Sequence, residues 1–78
     1  MELVLLSQNG CAPCKIEKKF LENEGIEFTE INLSEQPEKI EEYNVMGTPV
    51  TVLEDDGEEI TRFNGFVPEK ILEMAEYL

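Results

Sequence analysis

Two cysteines with two residues between them follow a short apolar segment near the start of the chain. The apolar segment is Leu3–Leu6, and the cysteines are Cys11 and Cys14, in the sequence Cys-Ala-Pro-Cys. From Ala12 onward the apolar residues follow helical spacing, so the pair lies where a strand turns into a helix. The N-terminus of a helix presents unpaired N–H groups and the positive end of the helix dipole, and both stabilise a thiolate. The position of the pair therefore predicts a site for thiol–disulfide exchange.

A zinc site and a structural disulfide are the two alternative interpretations of this pair. A C-x-x-C motif is half of a common zinc site, but the chain has no other cysteine and no histidine. Zinc bound to a monomer would then need two carboxylate ligands. A disulfide across so short a loop restricts the unfolded chain little, which makes it a weak structural cross-link. Redox chemistry is the favoured interpretation, and the other two stay open at this point.

The length and composition of the chain are typical of one small globular domain. The chain has 78 residues, of which 41% are hydrophobic, so we expect one domain over residues 1–78 with a small core. No segment approaches membrane-spanning length, and the first residues show neither the basic region nor the cleavage site of a signal peptide. We therefore expect a cytoplasmic protein. In the cytoplasm a C-x-x-C dithiol is kept reduced, which indicates a catalytic rather than a structural role.

The charge of the chain is strongly negative. Six lysines and arginines stand against eighteen aspartates and glutamates, which gives a net charge of −12. Such a surface repels nucleic acid and anionic membranes, so we expect neither as a partner. The acidic surface either prefers a basic face on a partner protein or serves only to keep the protein in solution, and the second interpretation is favoured.

Strand-like and helical segments alternate along the chain. The predicted segments are a strand at Leu3–Leu6, a helix at Ala12–Glu24, a strand at Ile26–Ile31, a helix at Glu35–Tyr43, strands at Val50–Leu53 and Ile60–Phe63, and a helix that begins at Pro68. The helical residues expected to face the core are Ile16, Phe20, Leu21, Ile40, Tyr43, Ile71, Leu72, Ala75 and Leu78.

Local signals mark the ends of these segments and limit the topology. Gly25 suits the left-handed position after the first helix, and Ser34 suits the N-cap of the second. Asp56 and Gly57 form a strong turn signal between the last two strands, which must therefore be antiparallel. The order βαβαββα predicts an α/β fold, in which a mixed four-stranded sheet carries helices on both faces.

This succession, with C-x-x-C at the end of the first strand, resembles the thioredoxin fold. In its size and in the absence of an extra N-terminal strand, the chain is similar to glutaredoxins. The motifs that carry the resemblance are Cys11–Cys14, Thr48-Pro49 and Asn64-Gly65-Phe66. The segment Phe63–Pro68 is similar to the Trp-Ser-Gly-Phe-Arg-Pro segment of NrdH-type redoxins, the glutaredoxin-like electron donors to class Ib ribonucleotide reductases. The family's Trp and Arg are replaced here by Phe63 and Val67.

The resemblance implies further features of the site. It implies a cis peptide between Thr48 and Pro49, which turns the backbone of Thr48 toward an extended substrate segment. Pro13, Gly65 and Phe66 complete the implied substrate-binding set, although an aromatic residue beside Gly65 could also simply pack under the last helix.

Each cysteine has a predicted role in the exchange. Cys11 is the expected nucleophile because it is the N-terminal member of the pair, nearer solvent and the helix end. Cys14, one turn into the helix and more buried, is expected to resolve the mixed disulfide. Lys15 and Lys18 could raise the local positive potential, but solvated positions on the helix surface are the favoured interpretation.

The predicted function is that of a monomeric electron carrier that reduces protein disulfides, with ribonucleotide reductase as one target. No metal or organic cofactor is needed, because the two sulfurs carry the electrons. Glutaredoxins bind glutathione through a basic residue three positions before the first cysteine, which is Gln8 here, and through polar residues where this chain has Gly65-Phe66. We therefore expect thioredoxin reductase to be the electron donor. A glutathione-dependent glutaredoxin and a non-catalytic adaptor that binds a metal or cluster are the alternatives.

Overall fold

The strands and helices follow one another in the predicted order, βαβαββα. The computed structural model describes residues 1–78. Its elements are β1 (Glu2–Ser7), α1 (Ala12–Asn23), β2 (Thr29–Asn32), α2 (Glu38–Tyr43), β3 (Val50–Asp55), β4 (Glu58–Asn64) and α3 (Pro68–Ala75).

The four strands form one mixed sheet in the order β2-β1-β3-β4. β1 and β2 are parallel, while β1 with β3 and β3 with β4 are antiparallel. In the register of the sheet, Leu6 lies opposite Ile31 on one side and Val50 on the other, and Val50 lies opposite Asn64. The end of β1, the start of β3 and the end of β4 therefore meet at the same end of the sheet.

Two apolar clusters cover the two faces of the sheet, because side chains alternate along β1. The first cluster contains Leu3, Leu5, Leu21, Leu53, Phe63, Ile71 and Met74. The second contains Val4, Leu6, Ile31, Leu33, Val50 and Val52, with Tyr43 and Val45 packed against it. Helices α1 and α3 thus contribute to one face and α2 to the other, which confirms the predicted arrangement of helices on both faces.

The second strand and the second helix both begin later than predicted. β2 begins at Thr29 rather than at Ile26, although Ile26 packs half-buried against the first cluster before the strand starts. α2 begins at Glu38, and its N-cap position is Pro37 rather than Ser34.

The polar groups of Asn32 account for the late start of α2. Its backbone oxygen accepts the N–H groups of Glu35 and Gln36, and its side-chain oxygen accepts that of Ser34 at 2.8 Å. These bonds make a turn in front of the helix. The Ser34 hydroxyl instead accepts a hydrogen bond from the N–H of Asn9 at 3.0 Å, so the prediction that it caps the helix is wrong.

The buried faces of α1 and α3 differ in part from the predicted ones. On α1, Ile16 is 56% exposed and the next residue, Glu17, is completely buried. On α3, Leu72 is exposed and Met74 is buried instead. Leu21 and Ile71 are buried as predicted, whereas Ile40 and Leu78 are exposed. Residues three and four apart on a helix share a face, so the buried Cys14 places Glu17 inside and turns Ile16 outward.

Candidate active site

The two cysteines form a disulfide at the junction of β1 and α1. β1 ends at Ser7 and α1 begins at Ala12, so Cys11 immediately precedes the helix and Cys14 lies in its first turn. Their Cα atoms are 5.3 Å apart. Cys11 is 8% exposed and Cys14 is 4% exposed, so Cys11 is the more accessible of the two by a small margin. The structure therefore shows the predicted pair in its oxidised form.

The sulfur of Cys11 occupies the N-cap position of α1. The Cys11 backbone is extended, and its Sγ accepts a hydrogen bond from the N–H of Cys14 at 3.2 Å. This N–H is one of the donors that a helix leaves unpaired in its first turn. A donor beside the sulfur, together with the positive end of the helix dipole, favours the thiolate over the thiol. The exposed Pro13 lies in the same turn, where its missing N–H costs no helix hydrogen bond.

The sheet register brings the three sequence motifs to the same end of the sheet. Leu6, near the end of β1, pairs with Val50, and Val50 pairs with Asn64. Pro49 precedes Val50 and Gly65 follows Asn64, so both lie at the end where β1 leads into the cysteine loop. The N–H of Gly65 donates to the backbone oxygen of Pro49 at 2.9 Å, which joins the second motif directly to the third.

The peptide bond between Thr48 and Pro49 is cis, which confirms what the resemblance implied. Pro49 is fully buried, and Thr48 is half-buried with an enclosed Oγ1 that has no hydrogen-bond partner. These two residues form the entry to β3. The contact between the Thr48 backbone and a substrate segment stays a prediction.

Phe66 packs against the helix that carries the cysteines. Its ring meets that of Phe20 edge-on, with the ring centroids 5.6 Å apart and the planes at 72°. Gly65 has a φ of 83°, a left-handed conformation that favours glycine and turns the chain toward α3. Phe66 is half-buried against the first core cluster. Phe66 therefore packs against α1, whereas the predicted packing was under the last helix, and its part in substrate binding stays a prediction.

The two lysines near the cysteines differ in their contacts. Lys18 forms an ion pair with Glu30 at 3.0 Å, and the hydroxyl of Ser7 donates to the same carboxylate at 2.8 Å. Burial raises the pKa of Glu30, but the hydrogen bonds from Lys18 and Ser7 outweigh it and hold the pKa below its usual value. Lys15 is exposed. Both lysines and Cys14 line a polar cavity of about 380 Å³. Lys18 is exposed as well, so the favoured interpretation of solvated lysines is confirmed for both, and Lys18 in addition forms the pair with Glu30.

Glu17 is a polar residue of this region that the sequence reasoning missed. It is fully buried on the same face of α1 as Cys14, and the hydroxyl of Thr51 on β3 donates to its Oε2. Burial raises the pKa of its carboxyl, and the hydrogen bond from Thr51 offsets only part of that effect. Its spacing of three residues from Cys14 is the signal that would have pointed to it.

Potential metal ligands do not cluster anywhere in the structure. The structure contains no group of three or more histidine, cysteine, aspartate or glutamate side chains placed to hold a metal ion. In addition, none of the helices is long and apolar enough to cross a membrane.

The fold and the disulfide define a thioredoxin-like redox protein, and comparison with known families agrees. The family model of the thioredoxin domain matches residues 1–76. The chain therefore belongs to the thioredoxin-domain family, and a glutaredoxin-like thioredoxin fold with a Cys11–Cys14 disulfide supports thiol–disulfide oxidoreductase activity in general terms.

Individual relatives share almost the full length of the chain. The SPbeta prophage-derived thioredoxin-like protein YosR of Bacillus subtilis is 39% identical over 79 residues, which cover 100% of this chain and 99% of that protein. The glutaredoxin-like protein NrdH of Lactococcus lactis subsp. cremoris is 37% identical over 76 residues, with coverage of 94% and 99%. The solved structure of NrdH-redoxin from Escherichia coli superposes with a TM-score of 0.78 at 28% identity, covering 94% of this chain and 93% of that one.

Proposed function

We propose that this protein is a dithiol electron carrier that reduces disulfides in other proteins. The observation that carries the proposal is the sulfur of Cys11 at the helix N-cap, with the N–H of Cys14 3.2 Å away. In the reduced protein this position favours the thiolate, which is the attacking species in exchange. The Cys11 thiolate attacks one sulfur of the target disulfide, the target S–S bond breaks, and the released target thiolate takes up a proton.

Cys14 completes the transfer. It loses its proton and attacks Sγ of Cys11 in the mixed disulfide. The Cys11–Cys14 bond forms, the bond from Cys11 to the target breaks, and the second target thiolate leaves and is protonated. Two electrons and two protons thus pass from the protein dithiol to the target, and the product is the oxidised state that the structure shows.

The roles of the cysteines are tested with Cys11→Ser and Cys14→Ser in insulin reduction with dithiothreitol. We expect Cys11→Ser to show no reduction, because Cys14 is the less exposed cysteine and its sulfur lacks the N-cap position that stabilises a thiolate. We expect Cys14→Ser to attack normally and to accumulate a mixed disulfide, detectable by its added mass. Turnover by Cys14→Ser at the wild-type rate would contradict this assignment.

The target segment is proposed to bind at the end of the sheet where the motifs meet. Pro13, Thr48, Pro49, Gly65 and Phe66 border this region in the proposal. The register of β1, β3 and β4 and the hydrogen bond from Gly65 to Pro49 support it. The relatives named NrdH support class Ib ribonucleotide reductase as one target, through the resemblance to NrdH-type redoxins. We further propose that the protein is a monomer. A reducing compartment such as the cytoplasm, which keeps the dithiol reduced, fits this function.

Thioredoxin reductase with NADPH is the proposed electron donor. Glutathione is an anionic peptide, and Gln8 offers it no positive charge, while the ring of Phe66 packs against Phe20 instead of offering polar groups. Lys18 is engaged by Glu30. The solved NrdH-redoxin of Escherichia coli is described as having a thioredoxin-like activity profile, which supports the same donor here.

Two parallel coupled assays test the donor. One contains NADPH and thioredoxin reductase, and the other contains NADPH, glutathione and glutathione reductase. We expect NADPH consumption to be faster in the first assay. Faster consumption in the second would instead identify a glutathione-dependent glutaredoxin.

A further inference from the structure

Met46 has the most exposed side chain among the large apolar residues of the protein. It is 99% exposed, whereas the other exposed large apolar residues are between 42% and 65% exposed. Each of those residues keeps part of its surface against neighbouring atoms, but the thioether of Met46 is surrounded by water. Burying such a side chain against another molecule is favourable, because it removes apolar surface from water. Met46 can therefore contact a partner without giving up any contact within its own chain.

The loop that carries Met46 is anchored on both sides. Before it, Val45 packs half-buried against the second core cluster, and the Val45 N–H donates to the backbone oxygen of Ile40 at 2.9 Å. After it, Pro49 is fully buried at the entry to β3. A Cβ added at Gly47, the residue next to Met46, would meet no atom within 4 Å. The loop thus holds Met46 over open space while its two ends stay fixed to the core.

Met46 borders the region where the target segment is proposed to bind. Pro49 lies three residues after Met46, and a chain of that length spans at most about 11 Å. Pro49 is at the end of the sheet that leads into the cysteine loop, because the next residue, Val50, pairs with Leu6 near the end of β1. A methionine side chain is flexible and adapts to apolar surfaces of different shapes. Met46 is therefore placed to contact an apolar side chain of a target protein.

We propose that Met46 is an oxidation site that regulates target binding: its thioether contacts an apolar side chain beside the target disulfide, and its sulfoxide weakens that contact. This inference rests on the proposed exchange function. The oxidant is a hydroperoxide. The sulfur of Met46 attacks the terminal peroxide oxygen, the S–O bond forms, the O–O bond breaks, and the hydroperoxide proton moves to the departing oxygen. The sulfur loses two electrons, the peroxide gains them, and the products are methionine sulfoxide and an alcohol, or water from hydrogen peroxide.

The sulfoxide changes binding and leaves the exchange chemistry intact. Oxidation converts a flexible apolar side chain into a polar one, and pressing a polar group against an apolar surface without a hydrogen bond is unfavourable. The hydrogen bond from the Cys14 N–H to Sγ of Cys11 lies within α1 and involves no atom of the Met46 loop. Oxidation of Met46 should therefore raise the KM for a protein target and leave the reactivity of Cys11 unchanged.

The other two methionines provide internal references for this oxidation. Met74 is buried in the first core cluster. Met1 is 53% exposed and precedes β1, so it lies at the opposite end of the sheet from the cysteines. Oxidation follows exposure to the oxidant, so Met46 should react first, Met1 more slowly and Met74 last. A sulfoxide at Met1 is too far from the cysteine loop to affect target binding.

The test treats the oxidised full-length protein with hydrogen peroxide, because the disulfide protects both cysteines from the oxidant. The peroxide is removed, and peptide mass spectrometry measures the oxygen added at each methionine. The treated protein then reduces insulin with dithiothreitol, which gives KM and kcat. Its reduced form also reacts with 5,5′-dithiobis(2-nitrobenzoate), a small disulfide that reports the reactivity of Cys11 without a protein target.

In the wild type we expect oxygen to be added first at Met46 and the KM for insulin to rise about fivefold, the loss expected when an apolar contact of one to two methylene groups disappears. The reaction with the small disulfide should keep the rate of the untreated protein. Met1→Leu, the matched control, should respond to peroxide as the wild type does. Met46→Leu keeps an apolar side chain and lacks the sulfur, so its KM should be the same before and after peroxide.

Met46→Gln separates the contact from the oxidation. Its side chain is polar and similar in length to that of methionine, so we expect a raised KM for insulin without any peroxide. A wild-type KM in Met46→Gln, or a KM of Met46→Leu that rises with peroxide as much as that of the wild type, would overturn the inference. A rate with the small disulfide that falls together with insulin reduction would overturn it too, because the effect would then lie in the cysteines. Failure of the untreated wild type to reduce insulin would instead overturn the proposed exchange function.

Discussion

Glu17 is a fully buried carboxyl residue whose burial costs stability. An apolar side chain at this position would remove an enclosed polar atom and would extend the first core cluster toward Cys14. The structure instead keeps a carboxyl group with one oxygen unpaired. Removing a buried ionisable group often stabilises a protein, because the free energy lost by desolvating the group exceeds the free energy gained from its contacts. A substitution that removes the ionisable group of Glu17 should therefore raise the stability of the folded protein where that group is charged.

The pH dependence of stability gives a prediction for this residue. Burial raises the pKa of Glu17 in the folded protein above its unfolded value of about 4.3. Its contribution to stability is then complete below the unfolded pKa and is lost as the pH rises through the folded pKa. We expect oxidised Glu17→Gln to gain stability relative to wild type over that window, by about 1.4 kcal/mol for each pH unit between the two pKa values.

Urea denaturation of both oxidised proteins between pH 4 and pH 8 measures this difference. Glu22→Gln, at an exposed position of the same helix, is the control, because an exposed carboxyl should leave the difference from wild type nearly constant. A stability difference between Glu17→Gln and wild type that stays flat with pH would show that the carboxyl titrates alike in the folded and unfolded chains.

Among the secondary-structure elements, those with a strong local end signal were predicted well. Gly25 has a φ of 68° just after α1, and Pro68 begins α3. The predicted buried faces of the helices were less accurate, because the prediction used the spacing of apolar residues alone. In α1 the buried face consists of Cys14, Glu17 and Leu21, three and four residues apart, so Ile16 turns outward. In α2, none of whose residues is buried, too few apolar residues define a face at all.

The β3–β4 hairpin offers a prediction at the scale of one element. Asp56 and Gly57 connect the strands with φ values of 53° and 83°, and hairpin turns with both central residues left-handed strongly prefer glycine at the second. We expect Gly57→Ala to destabilise the protein by about 1 kcal/mol, because a Cβ disfavours this conformation. No atom lies within 4 Å of the added Cβ, so the backbone conformation is the whole cause.

Gly47→Ala is the matched control for the hairpin. An added Cβ at Gly47 also meets nothing within 4 Å, and this glycine is not left-handed. The same substitution there should leave stability unchanged or raise it by about 0.4–1 kcal/mol, because it restricts the unfolded chain. Thermal unfolding measures the stability of both variants relative to wild type. Equal losses of stability in Gly57→Ala and Gly47→Ala would contradict the conformational explanation.

For the whole molecule, the order of elements and the C-x-x-C position were enough to predict the fold and the place of its site. The site is assembled by the register of β1, β3 and β4, which puts Pro49 and Gly65 at the end of the sheet that leads into the cysteine loop. No local sequence signal encodes the register of a sheet. The expectation that Pro49 and Gly65 lie near the cysteines therefore came from the resemblance to a family. The contact between Glu17 and Thr51 joins residues 34 positions apart, and sequence pattern alone cannot reveal such a pair.

The net charge of −12 leads to a prediction for the molecule as a whole. The radius of gyration is 11.4 Å, whereas the Debye length is about 30 Å at 0.01 M salt and about 3 Å at 1 M. At low salt the excess negative charges therefore repel one another across the entire protein. Two like charges about 15 Å apart in water cost about 0.3 kcal/mol, and the extended unfolded chain relieves many such pairs. We expect added salt to stabilise the folded state.

Urea denaturation in 0.01 M and 1 M sodium chloride measures this effect, since urea itself carries no charge. We expect the free energy of unfolding to rise by about 1 kcal/mol or more as several like-charge pairs are screened. The control variant combines Glu35→Gln, Glu73→Gln and Glu76→Gln at three exposed positions. Its smaller net charge should reduce the gain from salt. A fall in stability with salt would mean that the ion pairs of Lys18, Lys39 and Arg62 contribute more than the general repulsion costs.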